Sequence, residues 1–428
     1  MRAPKMSTPS STADITPIPS PSDAKQTNLV SASSDRVDNP DDHDQNSGAT
    51  NENHTSHSRL ARLIHGVRWL VVKLVSGAFG FMSLVFLLSI LATIPVLQFL
   101  SLGYLLEAGG RVARSGRLRD GFIGLPVLRR VTGILVASYL LLLPLRVLAD
   151  VRYSAVLLES GSGQARFLTA ALLVFAILML AHISWAVFRG GRLRSFLWPA
   201  PIKLVRRWQQ GGMYSSARDR FWNQIIDLRL PYYFSLGLRG FLVALAWLAV
   251  PVSVLVIGSR MPEGLAILTG LVGGLMLFAV LLYLPFLQLN FARSRQVVDG
   301  FRPRVVRNQF CRAPVAFWIA LTATLILALP LYLLKAELIP REAAWLPSIV
   351  FVLSIFPSRL LAGWAIARAE RRPEPRLFLF RWLARLGTLP VVAAYAFVVY
   401  LTQYLSWYGV WSLYEQHAFL LPVPFLGM

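Results

Sequence analysis

Four polar residues lie deep inside long apolar stretches of the sequence, where an ionisable or strongly polar group is costly and therefore points to function. Arg359 lies nine residues before Arg368, which is about 13 Å along a helix. Pro357, two residues earlier, removes a backbone hydrogen bond and leaves carbonyls free. A buried guanidinium beside free carbonyls predicts the binding of an anionic substrate. The alternative is an arginine that snorkels or pairs with carbonyls inside the protein.

The other three residues carry weaker signals. His182 can relay protons, or it can simply hydrogen-bond to a neighbouring helix. Gln98 and Gln288 end the similar tetrapeptides PVLQ and PFLQ, and they either line a path or link the two halves of the chain. Together with Arg359, these are the candidate substrate-binding residues.

A second set of candidates lies between apolar stretches, in residues 189–235. The segments PIKLVRRWQQ and RDRFWNQIIDLRL place apolar and basic residues on opposite sides of a helix, which predicts amphipathic helices in the membrane interface. They serve either to dock a lipid or a protein partner, or simply to anchor the chain. The predicted contacts with anionic lipid headgroups are Lys203, Arg206, Arg207, Arg218 and Arg220.

Motifs for catalysis, metal binding or cofactor binding are not found. The sequence contains no zinc-protease pattern, nucleophile elbow, P-loop or dinucleotide fingerprint. The single cysteine, Cys311, has no activating motif beside it. We therefore predict no catalytic residue, no metal and no cofactor, and a membrane enzyme is the weakest of the functional classes.

The elements that must position these residues are membrane spans. The chain is 55% hydrophobic and only 15% charged, whereas a soluble domain carries about 25% charged residues. Stretches of about 20 apolar residues match the hydrocarbon layer and must be helical. We predict an all-α polytopic bundle with eight spans, at 81–106, 131–149, 167–188, 236–257, 264–290, 314–334, 344–367 and 386–410.

The distribution of basic residues predicts the orientation of the bundle. Alternate loops carry 27 lysines and arginines against 5 in the others. The basic loops are 107–130, 189–235, 291–313 and 368–385, which places them in the cytoplasm and the aromatic segment 411–428 on the other side. The net charge of +22 thus belongs to the membrane surface and does not indicate a nucleic-acid partner.

The N-terminal part contains a polar tail and a basic segment. Residues 1–58 are rich in Ser, Thr, Asp, Asn and Pro, which predicts disorder. The basic segment 59–80 is either interfacial or re-entrant, which returns the tail to the cytoplasm, or else the tail crosses the membrane; the sequence leaves both open.

An internal repeat is predicted from two motifs at an offset of 179 residues. ARSGRLRDGF (113–122) resembles ARSRQVVDGF (292–301), and WAVFR (185–189) resembles WAIAR (364–368). Equivalent loops share one side of the membrane, so the halves, 81–257 and 264–410, are parallel repeats of four spans each.

The stretches SLGYLLEAGGR (101–111) and HAFLLPVPF (417–425) resemble those of uncharacterised bacterial multi-spanning inner-membrane proteins. This resemblance implies a bacterial cytoplasmic membrane and no particular activity. The residues themselves favour transport of a small solute or lipid. The alternative is a non-catalytic scaffold or assembly protein that docks protein partners or anionic lipid through its basic loops.

Overall fold

A computed structural model describes residues 52–191, 193–198, 200, 202–203, 206, 209, 212–334, 345–406, 409–414 and 419–420. The chain divides into two compact units, residues 1–67 and 68–428. Within the first unit the described residues, 52–67, are helical. Most of the predicted disordered tail lies outside the described residues, but 52–58 belong to a helix.

All regular structure in the described residues is helical. We number the helices in chain order as α1 (Glu52–Thr93), α2 (Gln98–Ser115), α3 (Leu125–Leu158), α4 (Gly163–Phe188), α5 (Leu193–Leu197), α6 (Met213–Leu228), α7 (Leu230–Gly258), α8 (Glu263–Ser294), α9 (Pro303–Arg312), α10 (Pro314–Leu333), α11 (Trp345–Glu370) and α12 (Phe378–Leu405). Short 3-10 segments lie at Leu118–Gly121, Val297–Phe301 and Gly409–Tyr414.

Eight helices in the described part of the chain are long and apolar enough to cross a membrane. These candidate spans are 68–93, 125–158, 163–188, 226–258, 263–294, 314–332, 346–370 and 378–405. The predicted all-α class is confirmed, and the eight helices support a multi-pass membrane protein.

The first span differs from its predicted position. Residues 81–106 are not one helix, because α1 ends at Thr93 and α2 begins at Gln98. Pro95 lacks a backbone N–H, and Val96 has a left-handed backbone with φ of 71°, so the helix is interrupted there. Residues 65–80 likewise form no separate element; they run on into 81–93 within α1, and the candidate span begins at Arg68.

Helix α2 lies at the centre of the bundle and packs against α7, α8 and α11. Its glycines allow backbone contact with two of these neighbours. A Cβ on Gly103 would lie 1.8 Å from the carbonyl oxygen of Tyr233 in α7. A Cβ on Gly363 in α11 would lie 2.3 Å from the carbonyl oxygen of Gly109. Small residues at such crossings are typical of helices that associate in membranes.

The two similar decapeptides adopt similar turns after α2 and α8. Gly116 and Arg295 both end their helix in the left-handed conformation, with φ of 71° and 64°. In each turn the serine hydroxyl accepts from the amide two residues later, at 3.2 Å. A 3-10 segment follows each, and Phe122 and Phe301 then pack against aromatic rings of α1 and α7 respectively.

Candidate functional site

A buried carboxylate that the sequence analysis did not single out lies in α2. The side chain of Glu107 is only 2% exposed. One of its oxygens accepts from Nε of Arg111 at 3.0 Å and from Arg114 at 2.8 Å. The other accepts from the Tyr232 hydroxyl at 2.6 Å. A third guanidinium, that of Arg295, lies 3.9 Å away.

The Glu107 cluster, defined as Glu107, Arg111, Arg114, Tyr232 and Arg295, joins three helices. Tyr232 is at the start of α7 and Arg295 caps the C-terminus of α8. Arg114 also donates to the carbonyl oxygens of Ala292 and Arg293, at 3.2 and 3.0 Å. Those are orphan carbonyls of the last turn of α8, where a cation is stabilised by the helix dipole.

A second polar network lies beside the first. Glu370, at the end of α11, accepts from Arg293 at 2.8 Å and from Gln309 at 3.0 Å. Gln309 also exchanges two hydrogen bonds with Asn290, at 3.0 and 3.1 Å. Arg371 donates to the carbonyl oxygen of Ser115 at 2.8 Å, which ties the end of α11 to the end of α2.

These contacts bring the ends of the four basic loops together, and we call this the basic end of the bundle. Glu107 and Glu370 are both paired with arginines, so these carboxylates hold helix ends together. Within the described part of the chain, no group of three or more His, Cys, Asp or Glu residues could hold a metal ion.

A tyrosine outside the spans fixes one of the turns at this end. Tyr104 in α2 donates to the carbonyl oxygen of Ile123 at 2.9 Å and accepts from the amide of Ile123 at 3.1 Å. Burial raises the pKa of Tyr104, so the hydroxyl stays protonated and keeps both bonds.

A cavity of about 390 Å³, which we call the two-arginine cavity, lies among α8, α9, α10 and α12. Its walls are mostly apolar and aromatic and include Phe286, Phe310 and Leu321. Arg307 and Arg385 contribute the charged lining, and both are exposed. The Arg385 guanidinium carbon lies 5.9 Å from the centre of the Phe310 ring. The cavity thus offers an apolar wall next to two cations.

The structure does not gather the predicted substrate-binding residues into one site. Arg359 is buried in α11, at 2% exposure, and its carbonyl oxygen would lie 2.8 Å from a Cβ on Gly109 of α2. Gln98 is buried at the start of α2. None of the residues that line the two-arginine cavity is among these candidates.

Gln288 and His182 make bonds between separate parts of the fold. The Gln288 amide in α8 donates to the carbonyl oxygens of Gly240 in α7 at 3.2 Å and of Phe419 at 3.0 Å. Nε2 of His182 in α4 lies 2.8 Å from the carbonyl oxygen of Phe196 in α5. Both bonds fit the interhelix interpretation of these side chains.

The predicted lipid-contact residues are described in part. Lys203 and Arg206 are exposed. Arg218 is exposed and pairs with Asp219 at 3.1 Å. Arg207 and the side chain of Arg220 lie outside the described residues.

Comparison with protein-family models, curated proteins and solved structures gives no match.

Proposed function

We propose that this membrane protein transports lipids that carry an anionic headgroup. The observation that supports the proposal is the two-arginine cavity. Its apolar wall suits acyl chains, whereas Arg307 and Arg385 suit a phosphate at the headgroup level. A small polar solute would instead need polar groups along the wall, so the cavity favours the lipid over the solute.

The membrane setting belongs to the same proposal. The bias in lysines and arginines supports a cytoplasmic position for the basic end. The sequence resemblance supports a bacterial cytoplasmic membrane. The matched turns at Gly116 and Arg295 support an internal duplication, with equivalent loops on one side.

Lipid translocation in proteoliposomes tests this function. The vesicles contain phosphatidylcholine and a trace of phosphatidylglycerol with a fluorescent acyl chain, and dithionite quenches only the outer leaflet. We expect the wild-type protein to expose the inner-leaflet label to dithionite. Replacing Arg307 and Arg385 together with glutamine removes charge-assisted bonds worth about 1.5–3 kcal/mol each, so the rate falls at least about tenfold.

A charge-matched control is the pair Arg119→Gln and Arg304→Gln. Both arginines are exposed and neither lines the two-arginine cavity. We expect this variant to translocate lipid within about twofold of the wild type. Equal losses of translocation rate in both variants would argue against the two-arginine cavity as the transport site. A wild-type protein that does not translocate lipid would argue against lipid transport itself.

The second candidate function is a scaffold that docks on anionic lipid or on a protein partner. Trp198, Ile202 and Trp222 are 71, 76 and 61% exposed, and they accompany the exposed Lys203 and Arg206. Such a mixture suits a segment that lies on a membrane surface. A stoichiometric protein partner that co-purifies from native membranes, and is lost on deleting 198–230, would favour this function over transport.

A further inference from the structure

A second cavity, which we call the three-arginine cavity, has a volume of about 340 Å³ and shares no lining residue with the first. It lies where α11 ends, α10 begins and the segment 371–377 connects α11 to α12. Arg368, Arg372 and Arg376 line it, and the remainder of its wall is apolar.

Two of these guanidiniums are held in place by aromatic rings. The Arg368 guanidinium carbon lies 5.4 Å from the centre of the Trp364 ring, and that of Arg376 lies 4.7 Å from the centre of the Phe380 ring. The Arg376 amide donates to the carbonyl oxygen of Cys311 at 2.9 Å, which anchors the connecting segment. Stacking on a ring orients a guanidinium while its N–H groups stay available to a ligand.

The three charges are not neutralised by neighbouring acids. Among the described residues, no carboxylate lies within 4.0 Å of any of the three side chains. Glu370 and Glu374 are the nearest acids in sequence, and neither lines the cavity. Glu370 is paired with Arg293. A cavity with three uncompensated cations attracts an anion of more than one charge.

The start of α10 adds positive potential to the same wall. Its N-cap residue, Ala313, offers no side-chain acceptor, and Pro314 at the first turn has no N–H. The next residues, Val315 and Ala316, line the cavity. The positive end of the α10 dipole therefore lies at this wall, next to the negative end of the α9 dipole, which offsets it in part.

An equivalent aromatic–arginine pair in α4 is used differently. Arg189 lies 5.8 Å from the Trp185 ring, 179 residues before Arg368 and Trp364. However, the Arg189 guanidinium donates to the carbonyl oxygens of Ser195 and Trp198 and so closes a local turn. The two pairs therefore differ in use, because the Arg189 guanidinium is bonded to backbone oxygens whereas Arg368 lines the three-arginine cavity.

We infer that the three-arginine cavity binds the phosphate monoester headgroup of a lipid. A monoester carries about −1.5 to −2 charges near neutral pH, which matches three cations better than the single charge of a diester. The apolar wall at Ile319, Trp364 and Phe380 suits the lipid's chains, which inorganic phosphate lacks. The inference concerns binding, and it stands or falls independently of translocation through the two-arginine cavity.

Lipid binding to the full-length protein tests the inference. The protein is delipidated in neutral detergent and titrated with phosphatidate or phosphatidylglycerol of matched chains, and bound lipid is counted by native mass spectrometry. We expect phosphatidate to bind at least about tenfold more tightly than phosphatidylglycerol. The triple variant Arg368→Gln, Arg372→Gln, Arg376→Gln should lose at least about tenfold in phosphatidate affinity.

The control is a triple variant with the same loss of charge, Arg117→Gln, Arg119→Gln, Arg304→Gln, whose three arginines are exposed and line neither arginine cavity. It should retain phosphatidate affinity within about twofold. Equal losses in both triple variants, or equal affinity for the two lipids, would overturn the inference. If inorganic phosphate displaced phosphatidate at similar concentrations, the lipid assignment would be overturned and the cavity would be a site for free anions.

The single variant Arg372→Gln tests the inference in case the triple variant does not fold. Arg372 is the member that makes no aromatic contact among those described, so its replacement leaves both stacked pairs in place. We expect a monodisperse protein with at least about threefold weaker phosphatidate binding. Unchanged binding in this variant would contradict the inference even if the triple variant did not fold.

Discussion

Glu107 is a buried carboxylate whose partners lie on three helices. Its carboxylate is almost fully buried, while Arg111 and Arg114 keep 39 and 34% of their side chains exposed. A buried ion pair adds little net stability over an apolar pair, but removing one partner leaves a charge that has lost its compensation. The arginines remain partly hydrated, which reduces that penalty.

We therefore expect Glu107→Gln to destabilise the protein by about 1–3 kcal/mol. The measurement is the midpoint of thermal unfolding in detergent, monitored by tryptophan fluorescence. The matched control is Asp219→Asn, the same acid-to-amide change in an exposed pair with Arg218 at 3.1 Å. That control should stay within about 0.5 kcal/mol of the wild type. Equal unfolding midpoints for the two variants would show that the Glu107 cluster does not stabilise the fold.

Arg359 is the one arginine among the predicted substrate-binding residues, and it is buried in α11. We propose that its buried guanidinium is an inner contact for the headgroup during transport, because an arginine inside the membrane is costly and such residues often mark substrate pathways. Arg359→Leu should insert normally and lose at least about tenfold in translocation rate. Arg359→Lys, which keeps the charge, should retain part of the rate. A leucine variant with the full wild-type rate would refute this role and leave Arg359 as a packing residue of the bundle.

At the scale of elements, the bundle depends on backbone contacts of α2. A Cβ on Gly103 would lie 1.8 Å from a carbonyl oxygen of α7, and one on Gly237 would lie 1.9 Å from the Phe99 carbonyl oxygen. These contacts involve backbone on both sides, so neither can be relieved by a change of rotamer. The helices must move apart to admit even one methyl group.

Gly103→Ala should therefore destabilise the fold by about 1–3 kcal/mol or more. The control is Gly274→Ala in α8, where a Cβ would meet nothing within 4 Å. Alanine is the better helix former, so this control should be neutral or stabilising by up to about 1 kcal/mol. Size-exclusion chromatography and thermal unfolding both report the difference. A monodisperse Gly103→Ala protein with a wild-type midpoint would contradict the close backbone crossing of α2 and α7.

Sequence patterns predicted most of the long helices but did not predict α2, the central helix, as a separate element. Hydropathy located the spans because apolar length alone determines them. It joined 81–93 to 98–106, since Pro95 and Val96 interrupt the helix without interrupting the apolar run. Glu107 fell just beyond the predicted span, and its partner Tyr232 is 125 residues away. Contacts across that distance depend on packing, which periodicity does not reveal.

For the whole molecule, the distribution of packing is unequal between the proposed repeats. In α3 and α4 only 11% of the apolar window is buried, against 50 and 67% in the spans formed by α10 and α11. The hairpin of α10 and α11 packs on α2 and α12, whereas α3 packs mainly on α4. A duplication would thus have given one hairpin to the core and left the other to the bilayer. Helix α10 of the core hairpin contributes to the walls of both arginine cavities.

The single native cysteine of the chain allows the orientation of the molecule in the membrane to be tested. Cys311 lies in α9 at the basic end and is partly buried. In intact cells, a membrane-impermeant maleimide should leave it unlabelled, and permeabilisation should expose it, since basic loops favour the cytoplasm. The control is Glu159→Cys in a Cys311→Ser background, where residue 159 is exposed in the turn between α3 and α4. The cysteine introduced at position 159 should be labelled in intact cells. The reverse labelling pattern would place the arginine cavities at the outer leaflet and make that leaflet the source of the lipid.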